Sequence, residues 1–314
     1  MEFTDQAANL RKLAYSRNEA GVAVLEPEAQ PNENIAETPE ATEDIATSQE
    51  TATRVIAVTS GKGGVGKSTL SVNLAISIAR MGKKVLLFDG DLGLANVNVL
   101  MGIIPEHSIY EVIKGKKKIE DIIISTSYGI DIIAGANGIS QLANLTEAQR
   151  DEFMSAFGAV GGYDVMLIDT GAGVGANVIG LVLAADEILV VTTPEPTAIT
   201  DAYGMIKSIV ANSKEQAIKL VVNRVPSAIE AKRVADRLTS ISAQFLKTQV
   251  ESLGFVFEED LVQKSIRSQR PHVVLYPGSK SSACMNHISA RLLNSSAADD
   301  GSGIFGFLQK LLGV

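Results

Sequence analysis

The chain has 314 residues, a hydrophobic fraction of 46% and a formal net charge of −8, which is typical of a globular protein with a sizeable core. No apolar run reaches the ~18 residues that a membrane-spanning helix needs, and the acidic beginning does not resemble a secretory signal. The single cysteine, Cys284, excludes an intrachain disulfide framework and an all-cysteine metal site. These features predict a cytoplasmic protein.

The negative charge is concentrated in one segment. Residues 18–53 contain nine acidic residues and no lysine or arginine, so the rest of the chain is close to neutral, at about +1. Three prolines and few large apolar residues make this segment typical of a disordered linker. The total charge therefore gives no argument for or against nucleic-acid binding.

Residues 1–17 form a short apolar island before the acidic segment. Phe3, Ala7, Leu10 and Ala14 recur at helical spacing, although so short a helix is unstable alone in water. We expect a recognition peptide that folds against a partner; a frayed terminus is the alternative.

Short apolar runs alternate with helical segments over residues 54–293. The predicted strands are RVIAVTS, KKVLLFDGD, GIDIIAG, YDVMLIDT, EILVVTTPE, KLVVNRV and HVVLYP. Their nearly continuous apolar character fits strands covered on both faces. The alternation predicts an α/β fold with a doubly wound, mostly parallel sheet, whose ligands bind at the carboxyl ends of the strands.

The segment SGKGGVGKST directly follows the first predicted strand and precedes a helical pattern. Its glycines let backbone N–H groups close around phosphate oxygens, and the following helix adds its dipole. In this P-loop, Lys67 is expected to reach the β- and γ-phosphates and the Ser68 hydroxyl to bind Mg²⁺. The predicted ATP-binding residues of the loop are Gly61, Lys62, Gly63, Gly64, Val65, Gly66, Lys67, Ser68 and Thr69.

The second lysine of the loop, Lys62, makes the motif resemble the deviant Walker A motif of the MinD/ParA class of P-loop ATPases. In that class, this lysine reaches the nucleotide of the other subunit in an ATP-sandwich dimer, like an arginine finger supplied in trans. The resemblance implies an ATP-dependent homodimer and a slow, switch-type hydrolysis of ATP to ADP and phosphate. A solvated loop lysine is the alternative.

The same resemblance implies roles for three carboxylates at strand ends. The catalytic residues would be Lys62, Lys67 and Asp91, of which Asp91 would orient the attacking water. Asp89 and Asp169 would support Mg²⁺. Asn223 and Arg224, in VVNRVP, stand where the class contacts adenine, which favours ATP over GTP. The cofactors implied are ATP or ADP and Mg²⁺.

The last segment, residues 304–314, follows a second predicted linker, residues 294–303. Its apolar residues fall on one helical face: Ile304, Phe305, Phe307, Leu308, Leu311 and Leu312. The segment resembles the MinD-type membrane-targeting helix, which lies on a lipid surface; a helix packed on the protein's own core is the alternative. Two helices on one dimer gain avidity, so ATP-driven dimerisation is expected to control membrane attachment.

The cysteine count, the basic residues and several short stretches distinguish between the branches of this class. Relatives of the nitrogenase iron protein need two cysteines per subunit for a bridging iron–sulfur cluster, and the single Cys284 argues against that branch. Plasmid-partition ATPases bind DNA through a basic surface, but the basic run at residues 114–118 is more typical of a solvated helix end than of a phosphate contact. DQAANLR, with Gln6, resembles the N-terminal activator segment of the flagellar number regulators FlhG (also called FleN). The stretches TTPEPTAITDAYGMIK, DLGLANVNVL and DTGAG resemble that family as well.

This resemblance implies a regulator of flagellar number and placement that is cytoplasmic and reversibly attached to the inner face of the cell membrane. Its implied partners are the signal-recognition-type GTPase FlhF, stimulated through Gln6, and flagellar C-ring proteins or a flagellar transcription activator. No direct nucleic-acid contact is expected. Two alternatives stay open: a MinD-like division-site regulator, and a DNA-associated partition or transcription regulator.

Overall fold

The structure is a computed structural model that describes residues 52–91, 96–135, 146–158, 160–213, 216–295 and 303–313. The predicted activator peptide with Gln6, nearly all of the acidic segment and most of the second linker lie outside the described residues. The described part belongs to one compact unit. Within it, no helix is long and apolar enough to cross a membrane.

The described residues form one eight-stranded sheet in the order β3-β4-β2-β5-β1-β6-β7-β8. The strands are β1 (Arg54–Ser60), β2 (Val85–Gly90), β3 (Ile123–Ser125), β4 (Asp131–Ile133), β5 (Val165–Ala172), β6 (Glu187–Thr192), β7 (Ala217–Val225) and β8 (Val250–Phe257). Only β3 is antiparallel to its neighbour; the other pairs are parallel. The predicted doubly wound, mostly parallel sheet is confirmed.

Helices cover both faces of this sheet. They are α1 (Lys67–Ala79), α2 (Val97–Met101), α3 (Ile109–Ile113), α4 (Glu147–Gly158), α5 (Ala176–Ala184), α6 (Pro196–Asn212), α7 (Ala228–Ile241), α8 (Asp260–Arg267), α9 (His272–Leu275), α10 (Lys280–Asn294) and α11 (Gly303–Leu312). A 3₁₀ turn (Glu120–Ile122) precedes β3, and a π-helical turn (Ser242–Leu246) follows α7.

Local sequence explains where several helices begin. Pro196 opens α6 at a position where its missing N–H costs nothing. Ser108 and Glu111 form a reciprocal capping box at α3, and Ser227 accepts the Glu230 N–H at α7. The apolar faces of the helices pack on the central strands and form two buried clusters, one on each side of the sheet.

One predicted strand, HVVLYP, is wrong. The segment forms the short helix α9, in which the N–H groups of Val274 and Leu275 both bond to the Pro271 carbonyl. The N–H of Val273 donates to Asn73 Oδ1 of α1 at 2.8 Å, so this backbone is satisfied by a helix and by α1 rather than by a neighbouring strand.

The C-terminal helix is amphipathic as predicted, but in this structure its apolar face packs on the protein's own core, which is the alternative, and is not exposed for a lipid surface. Ile304, Phe307 and Leu308 are at most 4% exposed and belong to the core cluster on one face of the sheet. Leu311 and Leu312 pack against that cluster, and Phe305 is 50% exposed. Helix α11 lies against α4 and α5, because its apolar face is removed from water there.

Candidate nucleotide site

The P-loop joins β1 to α1 in a conformation that requires its glycines. Gly64 and Gly66 have φ values of 82° and 89°, in the left-handed region that disfavours other residues. A Cβ at Gly61 would lie 2.0 Å from the carbonyl oxygen of Asp201, and one at Gly66 would lie 2.4 Å from Asn223 Nδ2. At Gly61 and Gly66 the loop is therefore too close to α6 and to the end of β7 for a side chain.

Lys67 and the buried acid of β5 face each other at the base of the loop. Lys67 Nζ lies 3.2 Å from Asp169 Oδ1, and both side chains are almost wholly buried. The Ser71 hydroxyl lies 2.9 Å from the same carboxylate oxygen. Asp169 Oδ2, however, is buried and has no hydrogen-bond partner among the described residues, which is costly for a carboxylate unless a cation or water is bound.

Asp89 is the second buried acid of the site. Burial, followed by the charge of Asp169, raises the pKa of Asp89 from 3.8 to about 7. The backbone N–H groups of Asp91 and Val97 donate to its two oxygens, each at 3.2 Å, and oppose this rise. Asp89 therefore changes its charge near neutral pH.

Asp91 lines a cavity of about 580 Å³ above the loop, close to Gly171. The cavity is also lined by Gly63, Gly64, Val65, Gly66, Lys67, Ser68 and Thr69. Residues 92–95, which directly follow Asp91, lie outside the described residues.

Asn223 and Arg224, predicted to contact adenine, both line this cavity. Asn223 Nδ2 donates to the Val65 carbonyl at 2.8 Å, so Asn223 also fixes the P-loop. Arg224 has a φ of 55° and pairs with Glu258 Oε1 at 2.8 Å. The far wall was not predicted: it comes from the end of β8 and from α8, including Phe257, Glu259, Val262, Gln263 and Ile266.

Lys62 does not line the cavity around its own P-loop. Its Nζ lies 2.9 Å from Glu195 Oε2 and 2.9 Å from Thr197 Oγ1, at the start of α6. The hydrogen bond from Lys62 lowers the pKa of Glu195 below its ordinary value. Both side chains of this pair are well exposed, at 37% and 57%, so solvent screens the contact and it is readily exchanged.

The donors at the base of the cavity fit Mg²⁺ bound together with a nucleotide. Among the described residues, no group of three or more His, Cys, Asp or Glu side chains could hold a metal ion alone. Mg²⁺ commonly takes one or two protein oxygens and completes its shell with water and substrate phosphates. Ser68 lines the cavity, and Asp89 and Asp169 are buried near the ends of β2 and β5. A bound Mg²⁺ would give the unpartnered oxygen of Asp169 a partner.

Comparison with known proteins gives the family of this chain. A family model described as "AAA domain" matches residues 53–222. The antiactivator FleN of Pseudomonas aeruginosa is 35% identical over 76% of this chain and 86% of its own length. The flagellum site-determining protein YlxH of Helicobacter pylori is 35% identical over 77% of this chain and 82% of its own.

A solved structure gives the same result for the fold. The septum site-determining protein MinD of Pyrococcus horikoshii, complexed with Mg-ADP, superposes with a TM-score of 0.64 and 26% identity. The superposition covers 78% of this chain and 99% of the MinD chain. With its P-loop, its second loop lysine and its strand-end acids, the chain belongs to the MinD/ParA family of P-loop ATPases, which use ATP or ADP and Mg²⁺.

Proposed function

We propose that this protein is an ATP-dependent dimerising switch that regulates the number and placement of flagella and attaches to the membrane through α11. The flagellar part is supported by the names of two relatives, FleN and YlxH, at 35% identity over most of the chain. The observation that carries the switch is the position of Lys62 outside its own cavity.

The proposed dimer rests on the contacts of Lys62, which has a weak partner in its own subunit and a stronger one in the nucleotide of the other subunit. Its ammonium group is held by an exposed pair with Glu195, and a phosphate group with more than one negative charge is a stronger partner than one carboxylate. When two P-loops face each other across a two-fold axis, Lys62 leaves Glu195 for the γ-phosphate of the partner's nucleotide. ATP therefore favours the dimer, and loss of the γ-phosphate removes that contact.

Hydrolysis uses the residues at the base of the cavity. Asp91 orients a water whose oxygen attacks the γ-phosphorus, and the bond from that phosphorus to the bridging oxygen breaks to give ADP and phosphate. Lys67 and the partner's Lys62 stabilise the charge that develops on the phosphate oxygens. Mg²⁺ held by Ser68, Asp89 and Asp169 would neutralise part of that charge. The reaction is slow, because its role is to time the switch.

Helix α11 couples the nucleotide state to membrane binding, because it is either docked on the core or free to bind lipid. The face that packs on the core contains Ile304, Phe307 and Leu308, and a lipid surface would need the same face, so docking and membrane binding exclude each other. Helix α5, which α11 contacts, begins just after the strand end that faces Asp91. Dimerisation on ATP rearranges this region and releases α11.

The partners are proposed on the sequence resemblance. The N-terminal peptide with Gln6, which lies outside the described residues, stimulates the GTPase FlhF. C-ring proteins or a flagellar transcription activator receive the signal, and nucleic acid is not bound directly.

The test combines light scattering with sedimentation on anionic vesicles, each in Mg-ATP and in Mg-ADP. We expect a vesicle-bound dimer in ATP and a free monomer in ADP. Phe305→Glu, at a half-exposed position, should still dimerise but lose the vesicles. Equal sedimentation in both nucleotides, or an ATP-dependent DNA shift without vesicle binding, would contradict the proposal.

The flagellar part has its own test. A Pseudomonas aeruginosa strain without FleN would express this chain or its Lys67→Ala variant, and flagella per cell would be counted by electron microscopy. Restoration of the normal count by the intact chain alone is expected. An unchanged count would contradict the flagellar assignment and leave the ATP switch standing.

A further inference from the structure

A second groove, of about 590 Å³, lies at the free edge of the sheet. Strand β8 ends the sheet there and, within the described residues, pairs with β7 alone. Helix α7 flanks β8 on one face of the sheet and α10 on the other. The outer backbone edge of β8 is therefore at the bottom of a channel between two helices.

Small side chains keep this channel open. The wall from α7 is formed by Ala228, Ala231 and Ala235, and the wall from α10 includes Ala283. The floor includes Gly254, where a Cβ would lie 2.9 Å from Ile288 Cγ1 of α10, so helix and strand are in close contact. The outer edge of β8 has no strand partner among the described residues, although the Phe257 backbone bonds to Cys284. Such an edge, beside a wall of small side chains on α7, accepts another extended chain rather than a bulky helix.

The rim of the groove is positively charged. Lys232 and Lys280 are exposed, line the groove, and form no salt bridge with any other residue that the structure describes. Arg291 reaches only Glu251, at 3.7 Å, with both side chains more than 40% exposed. Asp236 is the acidic residue of the lining. A bound segment with acidic side chains would satisfy the excess of positive charge.

We propose that this groove binds an extended, acidic segment of a partner protein, which adds to β8 as a ninth strand. Backbone hydrogen bonds to β8 supply the affinity, and alternate side chains point to the alanines of α7 and α10. Lys232 and Lys280 select acidic residues along the same segment. The groove contains no P-loop residue and shares only Phe257 with the lining of the nucleotide cavity, so this is a protein contact in addition to the nucleotide switch.

Cys284 makes the groove directly measurable. It is the only cysteine of the chain, lines the groove and is half-buried, so its alkylation rate reports occupancy. Burial raises the pKa of its thiol, and the assay is therefore run at pH 8.5 on the full-length protein. The probe is the peptide Ac-EVEVEVE-NH₂, and the control is Ac-KVKVKVK-NH₂.

The glutamate peptide should slow Cys284 alkylation by roughly fivefold or more at saturation, and the lysine peptide should leave the rate unchanged. N-methylation of alternate amides distinguishes strand addition from side-chain contact. One of the two N-methyl registers should abolish protection, because its methyl groups face β8, and the other should keep it. Equal behaviour of both registers, or no protection at millimolar peptide, overturns the proposal.

Charge variants complete the test. Lys232→Glu with Lys280→Glu should weaken the glutamate peptide by roughly tenfold or more. The matched pair Arg233→Glu with Arg237→Glu, exposed on α7 but outside the groove lining, should leave affinity within about twofold. Equal losses in both pairs would overturn the rim assignment. If alkylation slows with rising protein concentration and no peptide, the occupant is a second copy of the chain and the proposal is wrong.

Discussion

Displacement of α11 from its contact with α5 should make membrane binding less dependent on whether ATP or ADP is bound. The site for this is Gly180 on α5, where a Cβ would lie 4.0 Å from Leu311 Cδ1 of α11. A phenylalanine at this position would extend its ring along the same direction into the space of Leu311. Gly180→Phe therefore displaces α11 without changing any residue of the helix itself.

The size of the effect follows from overpacking. Forcing extra atoms into a packed contact costs about 1–3 kcal/mol, and the docked helix escapes that cost by leaving. The ratio of released to docked helix should rise by roughly 5- to 150-fold. Vesicle binding in Mg-ADP should then rise above that of the unaltered protein in Mg-ADP, and stay below its level in Mg-ATP, because the monomer presents one helix and the dimer two.

Gly204 on α6 provides the matched control. It is also a helical glycine, but a Cβ there would meet nothing within 4 Å, so Gly204→Phe gives a similar gain in helix propensity without a clash. The assay is vesicle sedimentation in Mg-ADP, with ATP hydrolysis in solution as a check on the fold. If Gly180→Phe and Gly204→Phe bind vesicles equally weakly in ADP, the docked helix does not control attachment.

Three further predictions concern the nucleotide site. Lys67→Ala should weaken binding of a fluorescent ATP analogue by roughly 10- to 100-fold, because a charge-assisted phosphate contact is lost; retained affinity would refute its role. Gly66→Ala should lose nucleotide binding as well, since the left-handed φ costs about 1–2 kcal/mol and the new Cβ meets Asn223 at 2.4 Å; a fluorescence titration checks this. Asp89→Asn should become more stable than the nucleotide-free wild type as the pH rises. The pKa of Asp89 is 3.8 when unfolded and about 7 when folded, so its stabilising proton is fully effective below about pH 4 and lost as the pH passes 7. In thermal melts, the difference in free energy of unfolding between Asp89→Asn and the wild type should widen by roughly 1.4 kcal/mol per pH unit between pH 5 and 7. A difference that does not change with pH would refute the raised pKa.

The P-loop residues that the sequence singles out line one cavity, and they could be found because their chemistry is local in sequence. The P-loop glycines, Lys67 and Ser68 lie within ten residues, and the backbone requirement for glycine is visible in the pattern itself. Asp89 and Asp169 follow apolar runs in the sequence and are register partners near the carboxyl ends of β2 and β5, so the parallel sheet brings them together at its carboxyl edge. The distances and the raised pKa of Asp89 depend on burial and could not be obtained from the pattern.

The errors have a common cause, which is tertiary context. The segment HVVLYP has strong strand propensity, but Pro271 and the contact with Asn73 hold it as a helix. Strand β8 was not predicted, because Ser252 and Gly254 interrupt its apolar pattern and one of its edges is free of strand partners in the described part. Its end forms the far wall of the cavity, so that wall was not predicted either.

The C-terminal helix shows the limit of an amphipathic pattern. The pattern correctly predicts one apolar face, but a lipid surface and the protein's own core satisfy that face by the same burial of apolar area. Only the shape of the receiving surface decides, and Gly158 illustrates it. A Cβ at Gly158 would lie 2.7 Å from Phe305 Cδ2, so α4 is matched to this helix at a residue that the sequence alone does not single out.

The central claim is that Lys62 acts on the nucleotide of the partner subunit, and a mixing experiment tests it directly. Lys62→Ala and Asp91→Ala, each inactive alone, are combined before Mg-ATP is added. In the mixed dimer, the site on the Lys62→Ala subunit has its own Asp91 and receives Lys62 from its partner, so hydrolysis should return. Random pairing of two-fold dimers would restore up to about a quarter of the wild-type phosphate release. A mixture that stays as inactive as its components would show that Lys62 acts within its own subunit and would contradict the account.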